Sequence, residues 1–557
     1  MAAAVGSSEE KTTLESNSVL KLNLNGPIQE VSVENPFASF SGGQGNVIGL
    51  IDLKSALANA KLDPNIKGVY LDVQYPMVGW ASAEEIRDAI IDFKKSKKFV
   101  VAYGEVMTEK AYYLASVADK IYLNPAGGME WNGLSAEYDF YKGTLEKLEV
   151  KPLVYRVGEF KSAVEPFFRE NMSDASRLQN QVLINNVFDH TVEKIAQARG
   201  LTPTQLKNMA DSLSIDSPQD ALKNKLITHV GYYDEVETTL RNELKLKEED
   251  KIKFVSLEKY TKAEKHVKQG KSDSRIAVII GEGAIYSGKS GDGNIGSETI
   301  AEELRKARKD KKVKAVVLRI NSPGGSALAS DVMWREVQLT RKEKPVIASM
   351  SDVAASGGYY MAMGCDKIVA QPNTITGSIG VFSVLFNFEK TFRNKLGITF
   401  DRVNTNAHSD WPSVTREMTA FENNRMQRST ENIYAIFTKK AAEGRKMPLE
   451  KLQSLASGRV WSGKEAKANG LIDEFGGLDK AIEVAAKAAK LKEGDYRVKY
   501  PAKKNVFEEV VNKLSGETEE RILQEKLGDF APYLNTLKKL QQMQGIQARM
   551  PFEMKIN

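Results

Sequence analysis

The residues best equipped for chemistry are a serine and a pair of glycines. Ser356 lies in SDVAASGGYYMAMGCDKIV, followed by two glycines and a helix-compatible run, and Gly324 and Gly325 lie in INSPGGS, just after the apolar run KAVVLRI. A serine at a helix start can aim its own amide at a bound carbonyl oxygen, where the helix dipole favours negative charge. The glycines allow close backbone approach, and one well-aimed amide on a developing oxyanion is worth about 3–4 kcal/mol. An N-cap serine and a plain Pro-Gly turn are the structural alternatives. A serine nucleophile also needs a base. The four histidines, His190, His229, His266 and His408, sit in no triad signature. Lys161, in RVGEFKSAVEPFFRENMS, lies between Phe160 and small residues ahead of an apolar stretch. A lysine base must be neutral, which requires its pKa to fall from about 10.4 towards about 7–8, and only burial does this. A solvated surface charge is the ordinary reading of any one lysine.

The elements that position these residues come as an internal repeat. A shift of 247 residues superposes two long segments without a gap, carrying Leu71 onto Leu318, Pro76 onto Pro323, Lys97 onto Lys344 and Val106 onto Val353. Tyr112, Tyr113, Asp119, Lys120 and Pro125 then fall on Tyr359, Tyr360, Asp366, Lys367 and Pro372, and ALKNKLITHVG resembles AKANGLIDEFG at a shift of 245. Where the second half has Ser356, Gly324 and Gly325, the first has Glu109, Met77 and Val78. Only the second half is equipped for acyl chemistry. In each half, short β-branched runs alternate with helical patterns such as SAEEIRDAIIDFKKS, which indicates α/β layers with parallel sheets flanked by helices. The expected organisation is a polar leader (1–17), an N-terminal repeat carrying Lys161 (18–258), a charged, solvated linker (259–274), a C-terminal repeat carrying Ser356 (275–495) and a helical C-terminal extension (496–557) built on VFEEVVNKL and ERILQEKL.

Composition narrows the class. The chain has 557 residues, 41% hydrophobic and 27% charged, which describes a folded protein of several structural units. Its net charge of +6 is a small difference between 79 basic and 73 acidic residues spread along the chain, which gives no reason to expect nucleic acid as a partner. The single cysteine, Cys365, reads as an inert buried thiol. No apolar run approaches the length that spans a bilayer.

Taken together, GEFKSAVEPF, INSPGGS, SDVAASGGYY and TGSIGVF, in this order and spacing, resemble signal peptide peptidase A in its long, two-domain (67K-type) form, serine protease family S49 of the crotonase-like superfamily. The resemblance runs from about Ser18 to about residue 495. It implies two tandem crotonase-like (ClpP/crotonase) α/β repeats, with Ser356 as nucleophile and Lys161 as general base. It implies an oxyanion hole from the Gly325 and Ser356 amides beside Gly324, and a hydroxyl, Ser378, that orients the lysine. It implies no metal and no cofactor. Substrates would be remnant signal peptides and other short apolar peptides, cut by a homotetramer at the bacterial inner membrane, with the catalytic domain on the periplasmic side. The family's anchor helix is not among these residues. His408, 52 residues after Ser356, stands where the short form of the family carries its lysine and is the rival base. A crotonase-like acyl-thioester enzyme and a catalytically silent scaffold are the alternative functions.

Overall fold

The β-branched runs pair as parallel strands in the computed structural model, which describes residues 14–33, 47–267, 270, 272–291, 293–501 and 545–550. The chain forms two compact units. Among the described residues the first comprises 14–33, 47–133 and 188–267, and the second 134–187, 270, 272–291, 293–501 and 545–550.

In the first unit, Ser18–Asn23, Ile66–Asp72, Phe99–Met107 and Lys120–Met129 are the neighbouring inner strands of a six-stranded parallel sheet, with Lys253–Ser256 and His229–Val230 at its edges. In the second, Arg275–Glu282, Val313–Ser322 and Val346–Ala355 form the parallel centre of an eight-stranded sheet. Val316, Val317, Leu318 and Ile320 are all fully buried, as strands covered on both faces require. The helix Ser297–Lys309 turns Ile300, Ala301, Leu304 and Ala307 inward, a single apolar stripe at helical spacing.

The duplication is visible in hydrogen bonds. Tyr112 donates its hydroxyl proton to Leu226 O (2.8 Å), and Tyr359 does the same to Leu471 O (3.0 Å). The match does contain a gap. Lys98, not Lys97, repeats the role of Lys344: Lys98 reaches the carbonyls of Ala60 and Asp63, and Lys344 those of Ala307 and Asp310. One extra residue therefore sits in the turn before Phe99, where Lys97 takes φ 63°. The second half makes up the difference after Ser349, where its central pairing shifts so that Met350 and Ala354 face Ile320 and Ser322.

Three stretches differ from the sequence expectation. Residues 134–187, including Lys161, pack in the second unit although they belong to the first repeat by sequence. The 259–274 stretch is not simply a solvated linker. Leu257–Thr261 is helical, Tyr260 is 1% exposed with its hydroxyl on Asp63 Oδ2 (3.0 Å), and Asn59 receives the amides of His266 and Val267. In the C-terminal extension the described parts are strands, because free sheet edges take them up. Arg497–Lys499 joins Arg275–Ala277, and Ile546–Arg549 pairs with Gly324–Ser326 and with Val381–Asn387. The two helical patterns at 506–514 and 520–527 lie outside the described residues, as does most of the polar leader. Among the described residues no helix is long and apolar enough to cross a membrane.

Candidate active site

Lys161 is placed by a strand and a clamp. The strand Lys151–Val157 pairs antiparallel along the whole of Val381–Asn387, with Val157 opposite Val381, so it ends beside the TGSIG loop that precedes that partner. The chain then turns through Gly158. Phe160 N donates to Ser457 O (3.1 Å), and the buried Gln179 donates to Phe160 O (3.0 Å) and Ser162 Oγ (2.9 Å) while accepting from Val460 N (3.2 Å). Backbone passes so close here that a Cβ on Gly458 would stand 2.6 Å from Lys161 Cβ, and one on Gly158 2.3 Å from the Ser457 carbonyl carbon. Sequence reasoning missed Gln179, Gly158 and Gly458. Their roles rest on contacts some 280 to 300 positions apart, which no local pattern marks.

Ser356 ends the strand Val346–Ala355 and precedes the short helix Gly357–Ala362. Its φ of 54° and ψ of −109° are a strained backbone for a residue with a Cβ, of the kind that accumulates at functional sites. The side chain makes no capping bond to the helix. Its Oγ lies 2.8 Å from Lys161 Nζ instead. Lys161 Nζ also donates to Ser378 Oγ (3.0 Å) and Ser378 O (3.1 Å), and Ser378 Oγ donates to Gly458 O (3.2 Å). Lys161, Ser356 and Ser378 all have 0% exposure.

Burial alone holds the Lys161 amine well below its usual pKa. A neutral amine has two N–H donors and one lone pair. Ser378 takes both donors, through its carbonyl and its hydroxyl, and so leaves the lone pair for the Ser356 hydroxyl.

One expectation about the oxyanion donors is corrected. The Ser356 amide is already committed, donating to Gly377 O at 2.8 Å. The strained turn rotates it towards the neighbouring loop and leaves the next amide, Gly357 N, on the side of the glycine pair. A Cβ on Gly324, which has φ 95°, would stand 2.7 Å from Gly357 N. Gly325 pairs with Ile285 on one flank and Ala548 on the other. Gly324 N turns away to Ser322 Oγ (3.1 Å).

His408 belongs elsewhere. Its Nδ1 lies 3.0 Å from Glu422 Oε1 and its ring stacks on Phe421, in a cluster completed by Arg416 and Asp410. Glu109, the counterpart of Ser356, is buried and accepts from the amides of Asn132 and Gly133. Cys365 is buried and its thiol pKa is pushed up by that burial. Among the described residues no three His, Cys, Asp or Glu side chains group as a metal site needs.

The chain matches the model of peptidase family S49 over residues 92–247 and 338–492. It is 36% identical to "Serine protease SPPA, chloroplastic" of Arabidopsis thaliana, over 85% of this chain and 69% of that protein. It is 37% identical to "Protease 4" of Salmonella typhi, over 84% of this chain and 76% of the other. It is 34% identical to "Protease 4" of Haemophilus influenzae, over 86% and 80%.

Proposed function

This chain belongs to peptidase family S49 and is a serine protease, and on that premise we propose that Ser356 is its nucleophile and Lys161 its general base. The observation that carries the reading is the 2.8 Å approach of Lys161 Nζ to Ser356 Oγ in a fully buried setting. Neutral Lys161 takes the hydroxyl proton as Ser356 Oγ attacks a peptide carbonyl carbon. The Gly325 and Gly357 amides receive the oxyanion. Lys161, now protonated and held by both oxygens of Ser378, gives its proton to the leaving amine, and water deacylates the serine by the same route. The acyl-thioester and scaffold readings give this buried pair no task.

The motifs in their order extend the proposal to substrate and setting. The substrates are remnant signal peptides and other short apolar peptides. They are cut by a homotetramer at the bacterial envelope, with the site on the periplasmic face of the inner membrane. The repeats are assigned as 18–258 and 275–495, with the base contributed by the first and the nucleophile by the second.

A serine-directed fluorophosphonate separates these roles. Wild type labels, Ser356→Ala does not, and Lys161→Ala labels about 10²–10⁴-fold more slowly, as expected for loss of a general base. Fast labelling that persists in Lys161→Ala and disappears in His408→Ala would overturn the dyad.

A further inference from the structure

The strand Ile546–Arg549 lies across the proposed site and gives the register of an extended chain there. It runs antiparallel to Gly324–Ser326, with Gly325 opposite Ala548. One residue further, Met550 N donates to Pro323 O at 2.5 Å. Hydrogen-bonded pairs recur at every second residue of such a ladder, so Gly325 and Ala548 form one as well. A Cβ on Gly324 would stand 2.1 Å from Ala548 O and 2.7 Å from Gly357 N, and one on Gly357 would stand 2.9 Å from Ala548 O. The Ala548 carbonyl therefore marks the position of an attacked carbonyl, between the two amides given to the oxyanion. The residues after it mark the leaving side of the bond.

Alternation puts Ile546, Ala548 and Met550 on one face of this chain. Ile546 and Ala548 pack against the main core of the second unit. Met550 has a separate seat. It is 5% exposed and packs with Leu183, Ala355, Ile375 and Val460. Three neighbouring strands supply that seat: Ala355 is the residue before Ser356, Ile375 pairs with Val353, and Val460 lies opposite Gly377. Leu183 comes from the helix Asp174–Arg199, one turn after Gln179 and on the same helix face. Gln179 holds the loop of Lys161 and the amide of Val460. One helix face thus fixes both the base and a wall of the seat.

We infer that Leu183, Ile375 and Val460 form a specificity pocket for an apolar side chain at the second residue after the cleaved bond. The inference rests on the dyad proposed above. The enzyme then selects its peptide on the leaving side of the bond as well as on the acyl side, and Leu183, a residue of the first repeat, sets the depth of the pocket. The pocket acts in acylation alone, because the leaving fragment carries this side chain away before water attacks the ester.

Quenched fluorescent peptides that share one acyl side and differ only at the second residue after the cut test this on the full chain, with mass spectrometry of the products to fix the bond. In an aliphatic pocket, kcat/KM with Met or Leu at that place exceeds Gly by about 10-fold and Asp by about 10²-fold. Leu183→Trp fills the pocket and makes Gly the best residue, whereas Leu183→Ala deepens it and moves the preference to Phe. The wild-type series decides even where a variant does not fold. Equal kcat/KM across that series, with Ser356 still labelled by the fluorophosphonate, overturns the pocket and leaves the dyad standing, since the probe has no peptide on its leaving side. A preference that is the same in wild type and in both Leu183 variants also overturns it. Absence of both labelling and cleavage would sink the dyad and the inference together.

Discussion

A lysine with no exposed surface, whose nitrogen meets only serine and carbonyl oxygens, carries a consequence for stability as well as for catalysis. Its folded-state pKa lies below the usual 10.5 because burial disfavours the charge. Between those two values the unfolded chain binds the extra proton, so the contribution of Lys161 to stability rises with pH and levels off above 10.5. Lys161→Met removes that slope. In thermal denaturation across pH, wild type should gain on the variant as pH rises from neutrality towards 10.5, and parallel curves would contradict a depressed amine. Activity has the same sign: kcat/KM falls on the acid side as Lys161 is protonated and reaches its plateau below 10.5. At this scale the side chains of the proposed site were legible through the family motifs. Ser356, Lys161 and Ser378 each lie in one, and the fold brings all three together. The backbone donors were legible only in part. Gly325 was readable as a glycine in a turn, but the commitment of the Ser356 amide to Gly377 O follows from a φ of 54°, which a string of residue types does not record.

The elements around the dyad work as a vice whose jaws are backbone. The loop before Lys161 is tied to residues 457–460 through Phe160, Gln179 and Val460, and the jaws meet only because position 458 has no side chain. Gly458 also has φ 78°. Gly458→Ala places a Cβ 2.6 Å from Lys161 Cβ. Overpacking of this kind costs about 1–3 kcal/mol, and a left-handed alanine about 1–2 kcal/mol more. Relief requires Lys161 to retreat, and a displacement of about 1 Å at a catalytic group costs about 10²-fold in rate. The expected outcome is a folded protein with kcat about 10²-fold down and fluorophosphonate labelling slowed in proportion. Wild-type kcat in this variant would show that the clamp does not position the lysine. Parallel strands such as Val313–Ser322 were readable because burial on both faces leaves a continuous β-branched run. The pairing of Ile546–Arg549 with Gly324–Ser326 was not, since main-chain hydrogen bonds are indifferent to residue type. The charged 259–274 stretch misled for a related reason: buried Tyr260 and Ala263, with two backbone amides on Asn59, anchor it.

Duplication at the scale of the whole chain leaves two copies of one framework with divergent uses. Both copies keep the buried tyrosine that bonds a leucine carbonyl. At the serine position they part. Glu109 has 7% exposure, and its carboxylate takes up the amides of Asn132 and Gly133, so it closes its own loop instead of presenting a nucleophile. Asn132 is exposed and Gly133 half-buried, so water can replace the carboxylate there, and Glu109→Ala lowers Tm by the loss of two hydrogen bonds worth about 0.5–1.5 kcal/mol each. The proposed dyad confines chemistry to the copy that holds Ser356, 2.8 Å from an amine. Titration of the wild-type chain with a tritiated fluorophosphonate should therefore consume one equivalent per chain. Glu109→Ser should add none, because a serine there gains no activated base and frees the two amides that the carboxylate had satisfied. Two equivalents in either protein would mean that the first unit retains a working site, and the division of labour between the repeats would fall.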